Sequence, residues 1–256
     1  KVMQHGEAIA RRIHVPITPE TFNPVIVDFY EQVGYLPQAI INYLMLLGWS
    51  LDDKTEFFSR EQMLESFTLE RVTKAPASFD AKKLWAFQDH YMGEFPLKQK
   101  IPPMIGYLQK ARLISDPPPC EVGPTLTRIV EAAGDRIKVM GDVLDYADTF
   151  YQPDDAFDYD EQAFEKRVKK QGAADLLAEF RQRLAGIDEW NVQTLEAALQ
   201  QFIEEKQIKI GEIIHSIRVA TTGKGVGIGL YDCLDILGKD STLTRIDRSL
   251  VKAASR

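Results

Sequence analysis

Apolar side chains recur every three to four positions along most of this chain, the spacing that lines one face of a helix. From Thr21 to Gly34, Asn23 stands as a cap, Pro24 at a first helical position and Gly34 just past the end, which predicts a helix of about three turns. Pro37 opens a second apolar helix that stops at Gly48. Ser59 precedes Gln62 by three residues, a capping box that starts a third over MLESFTLERV. Asp80 starts a fourth, with Leu84, Phe87 and Tyr91 on one buried face. A proline-punctuated link at Ile101-Pro-Pro103 leads to a helix ending near Ala111, and SDPPPCEVGP at 115–124 is the clearest linker.

The helical period continues beyond the linker. Leu126, Ile129, Val130 and Ala133 share a face, then Ile137, Met140 and Leu144. The mix FYQPDDAFDYDEQAF predicts a loop leading into a helix capped by Asp160 or a neighbour. Helices over AADLLAEFRQRLAGI and VQTLEAALQQFIEEKQI follow, and a last pair runs from Ile208 to about Ala220 and from Leu230 to about Leu237. Strand signals are few and no repeat of solenoid length occurs, so the fold class is all-α.

Composition narrows the class further. With 256 residues, 45% hydrophobic and 27% charged, the chain suits an ordinary folded protein and excludes collagen-like and disordered classes. Cys120 and Cys233 cannot make a disulfide framework or a four-thiolate zinc site, which makes a reducing, cytoplasmic compartment the expectation. No apolar run has the length of a membrane span, so no membrane partner is expected. The start at Lys1 without a methionine implies a fragment or processed form. The formal charge of −7 argues at first against nucleic acid, but it is unevenly placed. Residues 141–165 hold nine acids and no Lys or Arg, whereas residues 206–256 hold nine cations (206, 209, 218, 224, 239, 245, 248, 252, 256) against five acids (212, 232, 235, 240, 247), a surplus of four. Phosphate contacts are local, so such a segment can support RNA binding within an acidic protein.

Candidate chemistry is sparse. His5, His14, His90 and His215 stand far apart, none at metal-ligand spacing, and no metal site is expected. No nucleophile elbow or Cys–His pair occurs. The carboxylates of 141–165 allow a hydrolase reading, but a charge run is ordinarily a solvated face. Gly223-Lys-Gly-Val-Gly-Ile-Gly229 fits neither a P-loop nor a dinucleotide fingerprint. It is either a flexible helix-to-helix loop or a place where backbone approaches a ligand closely, with Arg218 before it as a cation and Tyr231 after it as a stacking surface.

The runs GYLPQAIINYLMLLGWSLDD (34–53) and ESFTLERVTKAPASFDAKKLWAFQDHYM (65–92), with IKIGEIIHSIRVATTGKGVGIGLYDCLDILGK (208–239), resemble the bacterial-type glutamyl-tRNA synthetases. The resemblance covers nearly the whole chain in order; residues 1–21 look like an insertion-like variant. It implies a class I synthetase that uses ATP, with magnesium, to attach glutamate to tRNA. It also implies that the ATP-binding half lies outside this chain, since QHGEA and KVMQ do not match the family's HIGH- and KMSKS-type motifs. No catalytic residue is carried over, and this chain alone is expected to be inactive. The implied organisation is a stem-contact region (1–75) and two helical anticodon-binding subdomains (76–150 and 151–256).

By the same resemblance, Arg218 takes the place of an arginine that contacts the anticodon, Leu230 and Tyr231 of a pair that packs on its bases, and Arg136 of an arginine that helps separate glutamate from glutamine tRNAs. Gly229 closes the loop that brings backbone to the RNA. Where the family often has Ser/Thr-Pro, this loop has Gly227-Ile228, which leaves backbone contacts in place of side-chain ones. The implied partner is tRNA accepting glutamate, with glutamine tRNA left open as a second, bound by a monomer. The rival expectation is a helical interaction scaffold, a paralogue that kept the fold and lost RNA recognition.

Overall fold

The computed structural model describes residues 2–20, 22–74 and 78–255. Among these the regular elements are all helical, in agreement with the all-α expectation. They form two compact units: residues 1–119 with 134–144, and residues 120–133 with 145–256. The chain crosses first at Pro119, inside the proline-rich linker, returns for 134–144 and then leaves again. Contacts group 134–144 with the amino-terminal helices.

The first unit contains α1 (Val2–Arg12), α2 (Val27–Val33), α3 (Pro37–Met45), α4 (Arg60–Ser66), α5 (Ala81–Glu94) and α6 (Leu97–Lys110). Helix α1 has no counterpart among the sequence expectations. It seats Gly6 so closely on α2 that a methyl group there would lie 2.7 Å from the Phe29 ring. Its His5 Nε2 lies 2.5 Å from Asp142 Oδ1, and Asp142 Oδ2 accepts the Lys138 and Val139 amides at 2.8 and 3.0 Å. Buried Gln88 accepts the Leu36 amide at 2.8 Å and donates to the Lys138 carbonyl at 2.7 Å, tying α5 to α3 and to the returning segment.

Several boundaries move. The helix expected over 21–34 is confined to Val27–Val33, because the Asn23 carboxamide accepts the Val25 amide in a turn of its own instead of capping α2; Thr21 lies outside the described residues. Gly34 ends α2 as expected, in the left-handed conformation. Pro102 and Pro103 lie inside α6 and do not form a link, since Pro96 caps the helix and the two rings stand on its exposed face, where water can take the carbonyls they leave unbonded. The period at Ile137, Met140 and Leu144 is not one helix: Ile137 follows the 3₁₀ turn Gly134–Arg136, Met140 opens the 3₁₀ turn Met140–Asp142 and Leu144 lies in the short helix Val143–Ala147; all three side chains are buried all the same.

The second unit contains α7 (Val122–Ala133), α8 (Val143–Ala147, most of it in this unit), α9 (Glu161–Arg167), α10 (Ala173–Ala185), α11 (Val192–Lys206), α12 (Ile214–Thr222), α13 (Leu230–Leu237) and α14 (Lys239–Ala254). Asp160 caps α9 as expected, accepting the Ala163 amide at 3.0 Å. Helix α14 packs on α10 and α12, α11 on α13, and α9 on α12. Phe164, Leu177, Phe180, Leu199, Ile217 and Ile246 form the centre of one core. The sequence pattern ends its last pair at about Leu237 and misses α14, the longest helix described.

Candidate nucleic-acid interface

The glycine-rich loop joins α12 to α13 and is fixed at both ends. Gly223 terminates α12 with φ +73°, donating to the Val219 carbonyl at 2.9 Å. Its own carbonyl accepts the Asp160 amide at 2.8 Å, and a methyl group there would meet the Asp158 carbonyl oxygen at 2.1 Å. Only glycine satisfies both demands. The Thr222 hydroxyl donates to the Arg218 carbonyl at 2.8 Å and accepts the Lys224 amide at 3.1 Å, while the Thr149 hydroxyl donates to the Thr222 carbonyl at 2.8 Å. At the far end Arg218 Nη1 donates to the Ile228 carbonyl at 2.7 Å, bridging the base of the loop. These bonds describe a held loop and not a flexible one.

The expected site residues divide by position. Arg218, Gly229, Leu230 and Tyr231 come together around this loop, all in the second unit. Gly229 stands at the N-cap of α13, where a methyl group would require the Asp232 carboxylate to move aside. Leu230 is only 4% exposed and belongs to the core, so its side chain has almost no surface to offer a base. Tyr231 is half-buried against that core, and burial raises its hydroxyl pKa. His215, one helical turn before Arg218, has its pKa lowered by burial and by Arg167 and Arg218, which favours the neutral ring. Arg136 is exposed in the 3₁₀ turn Gly134–Arg136 of the first unit.

Charge is organised differently from its sequence tally. Of the nine cations counted over 206–256, eight lie among the described residues, and seven of these have partners inside the chain. Lys206 pairs with Glu179, Lys224 with Asp148, Arg245 with Asp154 and Lys252 with Glu161. Arg218, Lys239 and Arg248 donate to the carbonyls of Ile228, Ile187 and Phe157. Three of those partners, Asp148, Asp154 and Glu161, come from the acidic run, whose carboxylates therefore act largely as counter-charges and caps.

A depression in the first unit was not legible in the sequence. Ile41, Leu44, Trp49, Leu64, Phe67 and Val72 line it, with several of these side chains half or more exposed. Its helices α3 and α4 turn only one face each inward, and the heptad-like spacing does not reveal how much of the other face is also apolar.

A family model described as an anticodon binding domain matches residues 102–250. The chain belongs to this anticodon-binding family. A second model, tRNA synthetases class I (E and Q), catalytic domain, matches residues 22–86. The relatives are glutamate–tRNA ligases. That of Moorella thermoacetica is 38% identical over 223 residues, covering 87% of this chain and 45% of its own length. That of Desulforudis audaxviator is 34% identical over 256 residues, covering 96% and 50%. The crystal structure of a glutamate tRNA ligase from Elizabethkingia meningosepticum superposes with a TM-score of 0.74 at 25% identity, over 87% of this chain and 42% of that one. The resemblance drawn from residues 34–53, 65–92 and 208–239 is thus borne out, and the chain spans about half the length of the curated relatives it matches.

Proposed function

We infer that this chain is the tRNA-binding, anticodon-reading part of a glutamate–tRNA ligase, with amino-acid activation performed by a catalytic half in the longer protein. The observation that carries this reading is the held loop between α12 and α13, inside the stretch matched as an anticodon binding domain. A rigid loop flanked by Tyr231 suits single-stranded RNA, whose unstacked bases are read by stacking and by backbone groups. The same reading makes 1–75 a stem-contact region, 76–150 and 151–256 anticodon-binding subdomains, and Arg136 a reader of the third anticodon base. Action as a monomer and a cytoplasmic location belong to the proposal too, and whether glutamine tRNA is accepted besides glutamate tRNA is left open by it. No helix among the described residues is long and apolar enough to cross a membrane.

ATP and magnesium are assigned to the longer protein. The stretch matched to the catalytic-domain model offers an apolar depression, without the convergent cations or amides that a triphosphate and its metal need. These residues do not fit a nucleotide site, and no chemical step is placed on them.

Arg218 supports the loop through its bond to Ile228 whether or not it also touches a base. The proposed contact of Arg218 with the anticodon is one charge-assisted hydrogen bond to RNA, so Arg218→Ala should weaken glutamate tRNA binding roughly ten- to a hundredfold in a fluorescence titration, while loss of the bond to Ile228 is read separately as a fall in stability. Unchanged affinity would take Arg218 out of the site. The scaffold reading draws on one observation, the internal partnering of seven cations, and it requires that no RNA bind at low salt.

A further inference from the structure

Lys224 is the cation of the glycine-rich loop, and its charge is already answered. Its Nζ lies 2.7 Å from each carboxylate oxygen of Asp148 and 3.2 Å from the Asp145 carbonyl oxygen. An ammonium has three N–H donors, and these three acceptors account for all of them. Asp148 is only 8% exposed, and the Thr149 amide donates to its Oδ1 at 2.7 Å. Thr149 in turn holds the Thr222 carbonyl, so the anion and the loop it faces are tied together. A phosphate reaching Lys224 would have to compete with a largely buried carboxylate that already holds the ammonium through both oxygens. Beyond Lys224 the loop is neutral: Gly225, Val226 at 80% exposure, and Gly227.

We propose that Asp148 sets the selectivity of this loop by holding Lys224 away from RNA phosphates, so that the loop meets bases through Val226 and glycine backbone and does not grip any polyanion by charge. This rests on the RNA-binding reading above. Phosphate contacts give affinity without sequence information, whereas apolar and backbone contacts to bases discriminate. A loop stripped of free charge therefore contributes discrimination and little indiscriminate affinity.

The test uses the full chain with glutamate tRNA and with polyuridylate, each titrated over a salt series. Asp148→Asn frees the ammonium: polyuridylate affinity should rise several-fold, and the slope of log K against log salt should steepen by about 0.7, the value of one single-strand phosphate contact. The double variant Asp148→Asn with Lys224→Met should return the slope to that of the unaltered chain. The proposal is overturned if Asp148→Asn changes neither quantity, or if the double variant is shallower than the unaltered chain by about 0.7, because Lys224 would then hold a phosphate in the native loop. Should the single variant fail to fold, the slope of the double variant against the unaltered chain decides alone. Absence of RNA binding by the unaltered chain would overturn the functional reading and this inference together; binding with the wrong slopes overturns this inference only.

Discussion

Arg245 shows how far a residue's role can depart from its type. It is 1% exposed, with Nε 2.5 Å from Asp154 Oδ1, Nη1 and Nη2 on the carbonyls of Thr221 and Gln152, and its guanidinium 4.6 Å from the centre of the Phe157 ring. In the sequence it counts toward a positive, RNA-facing segment. In the fold it holds α14 to the chain end of α12 and to the acidic loop. Removing the cation leaves Asp154 and two carbonyls without their donor, so Arg245→Met should cost about 3–5 kcal/mol in urea denaturation. A loss below about 1 kcal/mol would mean that the cluster is not a structural support. Arg218 and Lys224 carry the same lesson: a tally of charges says where cations lie along the chain and nothing of which are already paired.

At the scale of elements, legibility followed the agreement between local signals and packing. The capping box of α4 was fully visible: the Ser59 hydroxyl accepts the Gln62 amide at 3.2 Å and Gln62 Oε1 accepts the Ser59 amide at 2.7 Å. Ser59→Ala should lower stability by about 1 kcal/mol, read as a fall in the denaturation midpoint at constant slope; no change would show that the cap adds nothing to the folded state. Asp80 was equally plain as a helix start and Asp160 nearly so, whereas the Asn191 cap of α11 emerges only in the structure. Helix α14 was hidden because Thr242, Arg245 and Ser249 occupy buried positions on it, so polar residues interrupt the apolar stripe that marks an inward face. The start of α2 was misplaced because an Asn can close its own turn as readily as cap a helix. In the site, Gly223 to Tyr231 could be located from glycine spacing and family resemblance, but the bond from Arg218 to Ile228 and the pairing of Lys224 with Asp148 join residues 10 and 76 positions apart, which no local pattern encodes.

For the whole molecule, burial of phenols and a thiol in both units sets an alkaline limit. Burial pushes the pKa of Tyr30 up to about 12, and those of Tyr35, Tyr107 and Tyr151 higher still; the Cys233 thiol is pushed up to about 12. These groups are neutral in folded and unfolded chains below about pH 8, and their contribution is fully present there. As pH rises through 9 for the thiol and 10 for the phenols, the unfolded chain ionises while the folded chain does not, and stability is lost up to about pH 12 and beyond. Phenolate absorbance at 295 nm should therefore show a fraction of the nine tyrosines ionising only together with the loss of helical circular dichroism. Complete ionisation near pH 10 with helicity intact would contradict the burial described.

The central claim is that this fold binds glutamate tRNA through its anticodon loop. Its most direct measurement is a titration of the chain, over a salt series starting at low salt, with glutamate tRNA and with the same tRNA carrying a replaced anticodon loop. The account predicts salt-sensitive binding to the first and markedly weaker binding to the second. Failure to bind either RNA at low salt, or equal binding to both, would contradict it.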